Sequence, residues 1–146
     1  MARHSAIRLY LDIDGVILGK TDPASHEIVL ARHAETFVEF AHRSFECFWL
    51  TTHCQGDTGP VIEYLRPYCD GPLLHLMASI RPTRWRTLKT EALVPPFLWL
   101  DDSPLAVEIE WLRGRGFADR WVPVDTRKRP DDLVEARRVL ESWLVG

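Results

Sequence analysis

Carboxylates end two apolar stretches of this chain, in a pattern typical of a site that binds a cation. In LYLDIDGVIL, Asp12 and Asp14 stand two residues apart after an apolar run, and in FLWLDDSP, Asp101 and Asp102 end another. Acidic residues disfavour strands and are costly to bury without a partner charge. Four carboxylates at neighbouring strand ends would raise one another's pKa values unless a cation neutralised them. The pattern therefore predicts that both strands end at these carboxylates and that the carboxylates share one site.

The expected cation is Mg²⁺. All-oxygen ligation suits a hard divalent ion, whereas His53 and Cys54 lack the other spaced ligands that a zinc site would need. RPTRWRTLKTEAL supplies Lys89 in a predicted helix, a positive group that could reach a phosphate beside the metal. Arg84 and Arg86 compete with Lys89 for this role.

Hydroxyl groups follow a third apolar stretch, FWLTTH. Thr51 ends the apolar run directly and is the preferred phosphate ligand, while Thr52 remains the alternative. Gly15, immediately after the first pair of carboxylates, lets the backbone turn sharply. In open α/β sheets, ligands bind in the crevice at the carboxyl ends of the strands, so these groups are expected to face one site.

The elements that must position these groups alternate along the chain. Helical spacing of apolar residues predicts helices over Ala34 to Arg43, Val61 to Tyr68, Leu105 to Leu112 and Leu133 to Leu144. Short apolar runs predict strands over Ile7 to Ile13, Glu46 to Thr51, Leu73 to Met77, Phe97 to Leu100 and Arg120 to Val124. This order predicts an α/β fold, a three-layer sandwich with a mostly parallel five-stranded sheet covered on both faces.

Composition favours one compact domain over residues 1–146. The chain has 146 residues, of which 46% are apolar, which is enough for one hydrophobic core. A formal charge of −3 gives no overall attraction to nucleic acid or to a membrane. Three cysteines without CxxC spacing, and no signal-peptide pattern or apolar run long enough to cross a bilayer, predict a soluble, cytoplasmic protein.

The motifs together resemble a known family. DIDGV from Asp12, a strand ending in Thr51, an isolated Lys89 and LDD ending at Asp102, in that order, look like the four motifs of the haloacid dehalogenase (HAD) superfamily of phosphatases and phosphotransferases. The resemblance covers Leu9 to about Asp102. DIDGV, WLTTH and WLDD with short spacers further resemble small HAD domains of bacterial proteins and of multidomain RNA-repair polypeptides.

The resemblance implies a role for each matching residue. Asp12 matches the nucleophile that forms an aspartyl-phosphate, and Asp14 matches the general acid and base. The carbonyl of Asp14 and the side chains of Asp12 and Asp101 would hold Mg²⁺, with Asp102 contacting it directly or through water. Thr51 and Lys89 would bind the phosphoryl oxygens. Because family members that cleave carbon–halogen bonds lack the second aspartate, Asp14 favours phosphate-ester hydrolysis.

Short spacers leave no room for a sizeable cap domain. In this family an open site often accompanies a large phosphorylated substrate, such as a nucleic-acid end or a phosphoprotein. Trp85 among the basic residues from Arg81 to Lys89 is a combination that binds single-stranded nucleic acid, although a solvated loop with a core Trp85 is the preferred interpretation. A 3′-phosphatase of nucleic-acid repair and a non-catalytic binding module of HAD fold remain alternatives. Thr51, Lys89 and Asp102 also have ordinary interpretations, as helix caps or a solvated helix face.

Overall fold

The computed structural model describes residues 6–145, which form six β-strands and five α-helices. In chain order these are β1 (Arg8–Leu11), β2 (Leu18–Gly19), β3 (Val29–Leu30), α1 (Ala34–Ser44), β4 (Glu46–Trp49), α2 (Gly59–Leu65), α3 (Gly71–Ala78), β5 (Phe97–Asp101), α4 (Ala106–Gly114), β6 (Trp121–Pro123) and α5 (Asp132–Val145). Short 3₁₀ helices cover Arg66–Tyr68, Lys89–Ala92 and Ala118–Arg120. No helix within residues 6–145 combines the length and the hydropathy needed to cross a membrane.

Four strands form a parallel sheet in the order β4-β1-β5-β6. In the register of this sheet, Leu11 lies between Trp49 of β4 and Leu100 of β5, so the two central strands end side by side. The α/β architecture with a parallel sheet, consistent with a Rossmann-like fold, agrees with the sequence expectation. The strands β2 and β3 pair separately as an antiparallel ribbon between β1 and α1.

The prediction of a fifth sheet strand over Leu73 to Met77 is wrong. These residues belong to α3, whose first turn is capped by the Asp70 carboxylate, which accepts a hydrogen bond from Leu73 N at 2.9 Å. Pro72 stands in that first turn, where its missing N–H costs nothing. The apolar run is short, and Leu73 and Met77 are four residues apart and both buried, so it fits one helix face as well as a strand.

Side chains alternate between two hydrophobic clusters, one on each face of the sheet. Leu9 and Leu11 of β1 contribute to the larger cluster, which also contains buried residues of α1, α2, α3 and α5. Tyr10, between them, belongs to the smaller cluster, with Trp99 of β5 and Leu112 of α4. This alternation is the two-residue period of a strand buried on both faces.

The loops after β1 and β6 are joined by hydrogen bonds. Thr126 N donates to Gly15 O at 2.8 Å, and the Thr126 hydroxyl lies 3.2 Å from the carbonyl oxygens of both Val16 and Leu18. Gly15 has a φ of 78°, a conformation that favours glycine. A Cβ at this position would also lie 2.7 Å from Asp102 Cγ. The turn after β1 therefore needs a glycine for both conformation and space.

Candidate active site

Three predicted carboxylates meet where the central strands end. Asp12 follows β1, its N–H donates to Leu100 O at 3.1 Å, and Asp101 is the last residue of β5. Together with Asp102, these residues offer carboxylate oxygens that all lie within 4.8 Å of one another. We call Asp12, Asp101 and Asp102 the acidic cluster. The parallel register brings them together, because it aligns the ends of β1 and β5.

Lys89 supplies a positive charge to the acidic cluster. Its ammonium group donates to Asp12 Oδ2 at 3.1 Å and to Asp101 Oδ2 at 2.6 Å. Burial lowers the pKa of Lys89, but the attraction to both carboxylates outweighs that effect and raises the pKa above its ordinary value. Arg84 and Arg86, the competing candidates, are exposed. Of these three candidates, Lys89, which begins a 3₁₀ helix, is therefore the one that lies at the strand ends.

The position of Lys89 is set by Glu108. This carboxylate is buried on α4 and accepts a hydrogen bond from Lys89 N at 2.7 Å through Oε2. Its other oxygen accepts from Leu105 N at 2.9 Å at the start of the same helix. The sequence pattern did not single out Glu108, although its place three residues after the N-cap is where an acidic residue commonly caps a helix.

The ionised form of Asp12 is disfavoured even with Lys89 beside it. Burial, followed by the nearby charge of Asp101, raises the pKa of Asp12 to about 7. The Lys89 ammonium and the N–H of Ile13, which donates to Asp12 Oδ1 at 2.8 Å, oppose this shift without cancelling it. Burial of Asp102 likewise raises its pKa, against the opposing hydrogen bond from Arg127. Both carboxylates would be stabilised by further positive charge.

The Asp14 side chain is directed to two residues that the sequence did not assign to the site. Tyr64 of α2 donates its hydroxyl hydrogen to Asp14 Oδ1 at 2.6 Å, and His53 Nε2 lies 2.9 Å from Asp14 Oδ2. The two rings stack with centroids 3.7 Å apart. Burial and the bond to Asp14 raise the pKa of Tyr64 to about 12, so the phenol stays a donor at neutral pH. The Asp14 carboxylate is therefore held from two sides.

Comparison of the chain with protein-family models, with curated proteins and with solved structures finds no match.

The two threonines after β4 have different environments. Thr51 is fully buried, and its hydroxyl oxygen accepts a weak hydrogen bond from His53 N at 3.4 Å. Thr52 is exposed and lines a cavity of about 220 Å³ beside Lys89. A larger cavity of about 280 Å³ lies at the start of β4, beside Glu46 and Cys47, away from the strand ends that carry the acidic cluster. The smaller cavity is the one that adjoins the candidate site.

Arg127 reaches the site from the loop after β6. Its guanidinium donates a short hydrogen bond to Asp102 Oδ2. In the sequence it is the first of three consecutive basic residues, Arg127 to Arg129, a short run for which the pattern alone predicts a solvated loop. Lys128 and Arg129 match that expectation better, since Lys128 is exposed and the exposed Arg129 pairs with Asp132 at the start of α5.

Proposed function

We propose that this protein is a Mg²⁺-dependent phosphohydrolase that cleaves phosphate monoesters through an aspartyl-phosphate intermediate. The observation that carries the proposal is the convergence of the acidic cluster and Lys89 at the carboxyl edge of a parallel sheet. The motif order that resembles the HAD superfamily supports the same reaction. Asp14, which His53 and Tyr64 hold near this edge, supplies a second carboxyl group that can act as acid and base beside the nucleophilic Asp12.

The acidic cluster fits a hard divalent cation. It offers only carboxylate oxygens, and its three carboxylates face two cationic side chains, Lys89 and Arg127, which leaves one formal negative charge. The carbonyl of Asp14 is the further ligand that the resemblance implies. When bound, Mg²⁺ supplies positive charge that neutralises the cluster and the phosphoryl oxygens. A dianionic phosphate could then approach carboxylates that would otherwise repel it.

In the first step, an Asp12 carboxylate oxygen attacks phosphorus in line with the ester bond. A new phosphorus–oxygen bond forms on Asp12, the bond to the leaving oxygen breaks, and Asp14 gives that oxygen a proton. Ile13 N and the Lys89 ammonium fix the orientation of the Asp12 carboxylate. Lys89 also balances the charge of the phosphoryl oxygens, with Thr51 as the hydroxyl ligand that the resemblance implies.

In the second step, a water molecule attacks the phosphorus of the aspartyl-phosphate. Asp14 accepts a proton from that water as the bond between Asp12 and phosphorus breaks, which releases inorganic phosphate and restores the Asp12 carboxylate and the protonated Asp14. The hydrogen bonds that Asp14 makes with Tyr64 and His53 hold its carboxyl group in one orientation through both steps. One fixed residue can act as acid and then as base, because the attacking water takes the position that the leaving oxygen has vacated.

The direct test is phosphate release from a generic aryl phosphate, with Mg²⁺ and with a chelator. We expect release only with Mg²⁺, and loss of release in Asp12→Asn, because the amide cannot attack phosphorus. Asp119→Asn is the matched control, since Asp119 is exposed on a short 3₁₀ helix away from the strand ends. Release that persists without metal, or an active Asp12→Asn variant, would refute the proposal.

A second variant separates the two steps. An aryl phosphate has a good leaving group that needs little protonation, so Asp14→Asn is expected to form the phosphoenzyme and hydrolyse it slowly. Mass spectrometry of the intact protein would then show one added phosphoryl group on Asp14→Asn and none on a double variant that also carries Asp12→Asn. No added mass under any condition would exclude the covalent intermediate.

The alternatives predict different outcomes in the same assays. Release of phosphate from the 3′ end of an oligonucleotide, faster than from small esters, would indicate an enzyme of nucleic-acid end processing. Salt-sensitive binding of an oligonucleotide, without turnover of any phosphate ester, would indicate a binding module.

A further inference from the structure

The cavity beside Lys89 has a wall suited to an uncharged ring. It holds about 220 Å³, its wall is mostly apolar, and its lining includes Thr52, Trp85, Thr87, Ser103 and Leu105 as well as Lys89. Lys89 is shared with the acidic cluster, because its ammonium contacts two of the cluster's carboxylates. A molecule that fills the cavity therefore lies next to the proposed position of the phosphoryl group.

The aromatic wall of the cavity is held in place before any ligand arrives. Trp85 packs against the hydrophobic cluster on the α4 side of the sheet, and its backbone N–H donates to Gln55 Oε1 at 3.2 Å. The loop that follows is fixed by Glu91, whose carboxylate accepts hydrogen bonds from the backbone N–H groups of residues 86, 87 and 88 at 3.0, 3.1 and 2.8 Å. A preformed wall lowers the entropic cost of binding.

The charged side chains that line the cavity offer no free partner to a second ionic group on its ligand. The lining side chains that carry charge are Lys89 and Glu108. Lys89 is already paired with the acidic cluster, and both Glu108 oxygens accept backbone hydrogen bonds, from Leu105 N and Lys89 N. Leu105, by contrast, is 55% exposed, so contact with an apolar ligand would remove apolar surface from water and favour binding.

We propose that this cavity binds the leaving group of the substrate, and that this group is an uncharged planar aromatic ring placed against Trp85. The proposal rests on the proposed phosphohydrolase function and narrows it to phosphate monoesters of aromatic alcohols. The phosphoryl group lies at the Lys89 end of the cavity and the ring lies between Trp85 and Leu105. Aromatic contact and burial of the ring both favour such a substrate over an aliphatic one.

The test compares benzyl with ethyl compounds, because both esters release a primary alcohol of similar reactivity. Calorimetry with Mg²⁺ would measure the binding of benzylphosphonate and ethylphosphonate, which cannot be hydrolysed, and phosphate release would give kcat/KM for benzyl phosphate and ethyl phosphate. We expect the benzyl compound to be preferred about tenfold or more in both measurements. In Trp85→Ala the preference should fall to about twofold.

Trp111→Ala is the matched control. Trp111 lies on α4, packs against the same hydrophobic cluster as Trp85 and does not line the cavity, so its removal weakens packing without changing the ligand wall. The benzyl preference should survive in this variant. Should Trp85→Ala fail to fold, Leu105→Gln tests a second apolar residue of the lining, at a half-exposed position, and it should also lower the preference.

The outcomes separate this inference from the proposed function. Equal binding of the two phosphonates, binding of neither, or a benzyl preference that survives in Trp85→Ala or in Leu105→Gln would overturn the inference. If Mg²⁺-dependent release of phosphate nevertheless occurs, the phosphohydrolase proposal stands. A benzyl preference that depends on Trp85, without phosphate release from either ester, would support the cavity assignment and overturn the proposed function.

Discussion

Replacing Asp12 by asparagine should make the metal-free protein more stable at neutral and alkaline pH. Burial and the charge of Asp101 raise the pKa of Asp12 from 3.8 to about 7. A carboxyl with a raised pKa in the folded state holds its proton there more tightly than in the unfolded state. Its contribution to stability is therefore complete below the unfolded pKa and is lost as the pH rises toward about 7. The neutral amide of Asp12→Asn carries no such dependence.

The size of the effect follows from the shift. A change from 3.8 to about 7 in the pKa of a side chain this buried corresponds to about 4 kcal/mol of unfolding free energy between acid and alkaline pH. Lys89 keeps its 2.6 Å bond to Asp101 in the variant, so its ammonium remains paired. We therefore expect the stability of Asp12→Asn relative to the unmodified protein to increase with pH over this window, by a few kcal/mol.

Urea denaturation followed by tryptophan fluorescence, near pH 4 and near pH 8 with a chelator, measures the difference. Mg²⁺ added near pH 8 should stabilise the unmodified protein, since a ligand that binds only the folded state adds stability, and should stabilise Asp12→Asn much less. Asp119→Asn controls for the loss of one exposed carboxylate. If the unfolding free energies of the two proteins in chelator changed with pH in parallel, the raised pKa of Asp12 would be refuted. An equal Mg²⁺ effect on both would show that Asp12 is not a ligand.

Two further variants test the framework of the site. Gly15→Ala should destabilise the fold by about 1 to 3 kcal/mol, because it strains a φ of 78° and puts a Cβ 2.7 Å from Asp102 Cγ. It should also weaken the stabilisation by Mg²⁺. The control Gly114→Ala, at a position in α4 with open space around it, should be neutral or slightly stabilising in the same urea titration. Glu108→Gln should lower the free energy of unfolding by about 1 to 3 kcal/mol, because an amide can accept only one of the two backbone hydrogen bonds. It should also lower phosphate release by displacing Lys89. Unchanged stability and activity would contradict the role given to Glu108.

The ends of the central strands could be predicted because the relevant pattern is local. An apolar run that stops at an acidic residue marks where a buried strand leaves the core, and parallel strands end at the same edge. Asp12 and Asp101 could therefore be expected to lie together without knowledge of any loop. The boundaries were less accurate: β4 ends at Trp49, two residues before Thr51, because the apolar Leu50 continues the run beyond the last ladder position.

The short apolar run at Leu73 to Met77 shows where local pattern is insufficient. Five residues are too few to separate a period of two from a period of 3.6, so capping decides the outcome. Asp70 accepts a hydrogen bond from Leu73 N and Pro72 occupies the first turn, two helix-start signals that outweigh the apolar composition. The sheet of the described residues is consequently one strand smaller than expected.

The residues around Asp14 could not be predicted from any local pattern. His53 and Tyr64 are 39 and 50 positions away along the chain, and Arg127 reaches Asp102 across 25 positions. Each contact depends on how a loop or helix is placed against the sheet, which periodicity and composition do not encode. The basic run at Arg127 was visible in the sequence, but its first member pairs with Asp102 while its neighbours remain near solvent.

The excess of negative charge around Asp12 both raises its pKa in the metal-free protein and underlies the expected affinity for a cation. Lys89 pairs with Asp12 and Asp101, yet the pKa of Asp12 still rises, so one ammonium does not balance the carboxylates around it. At neutral pH the protein must either hold a proton at Asp12 or carry an uncompensated buried charge, and both states cost free energy. On the proposed function, a divalent cation would remove that cost by displacing the proton. Binding of the ion would then recover the free energy that weakens the metal-free fold.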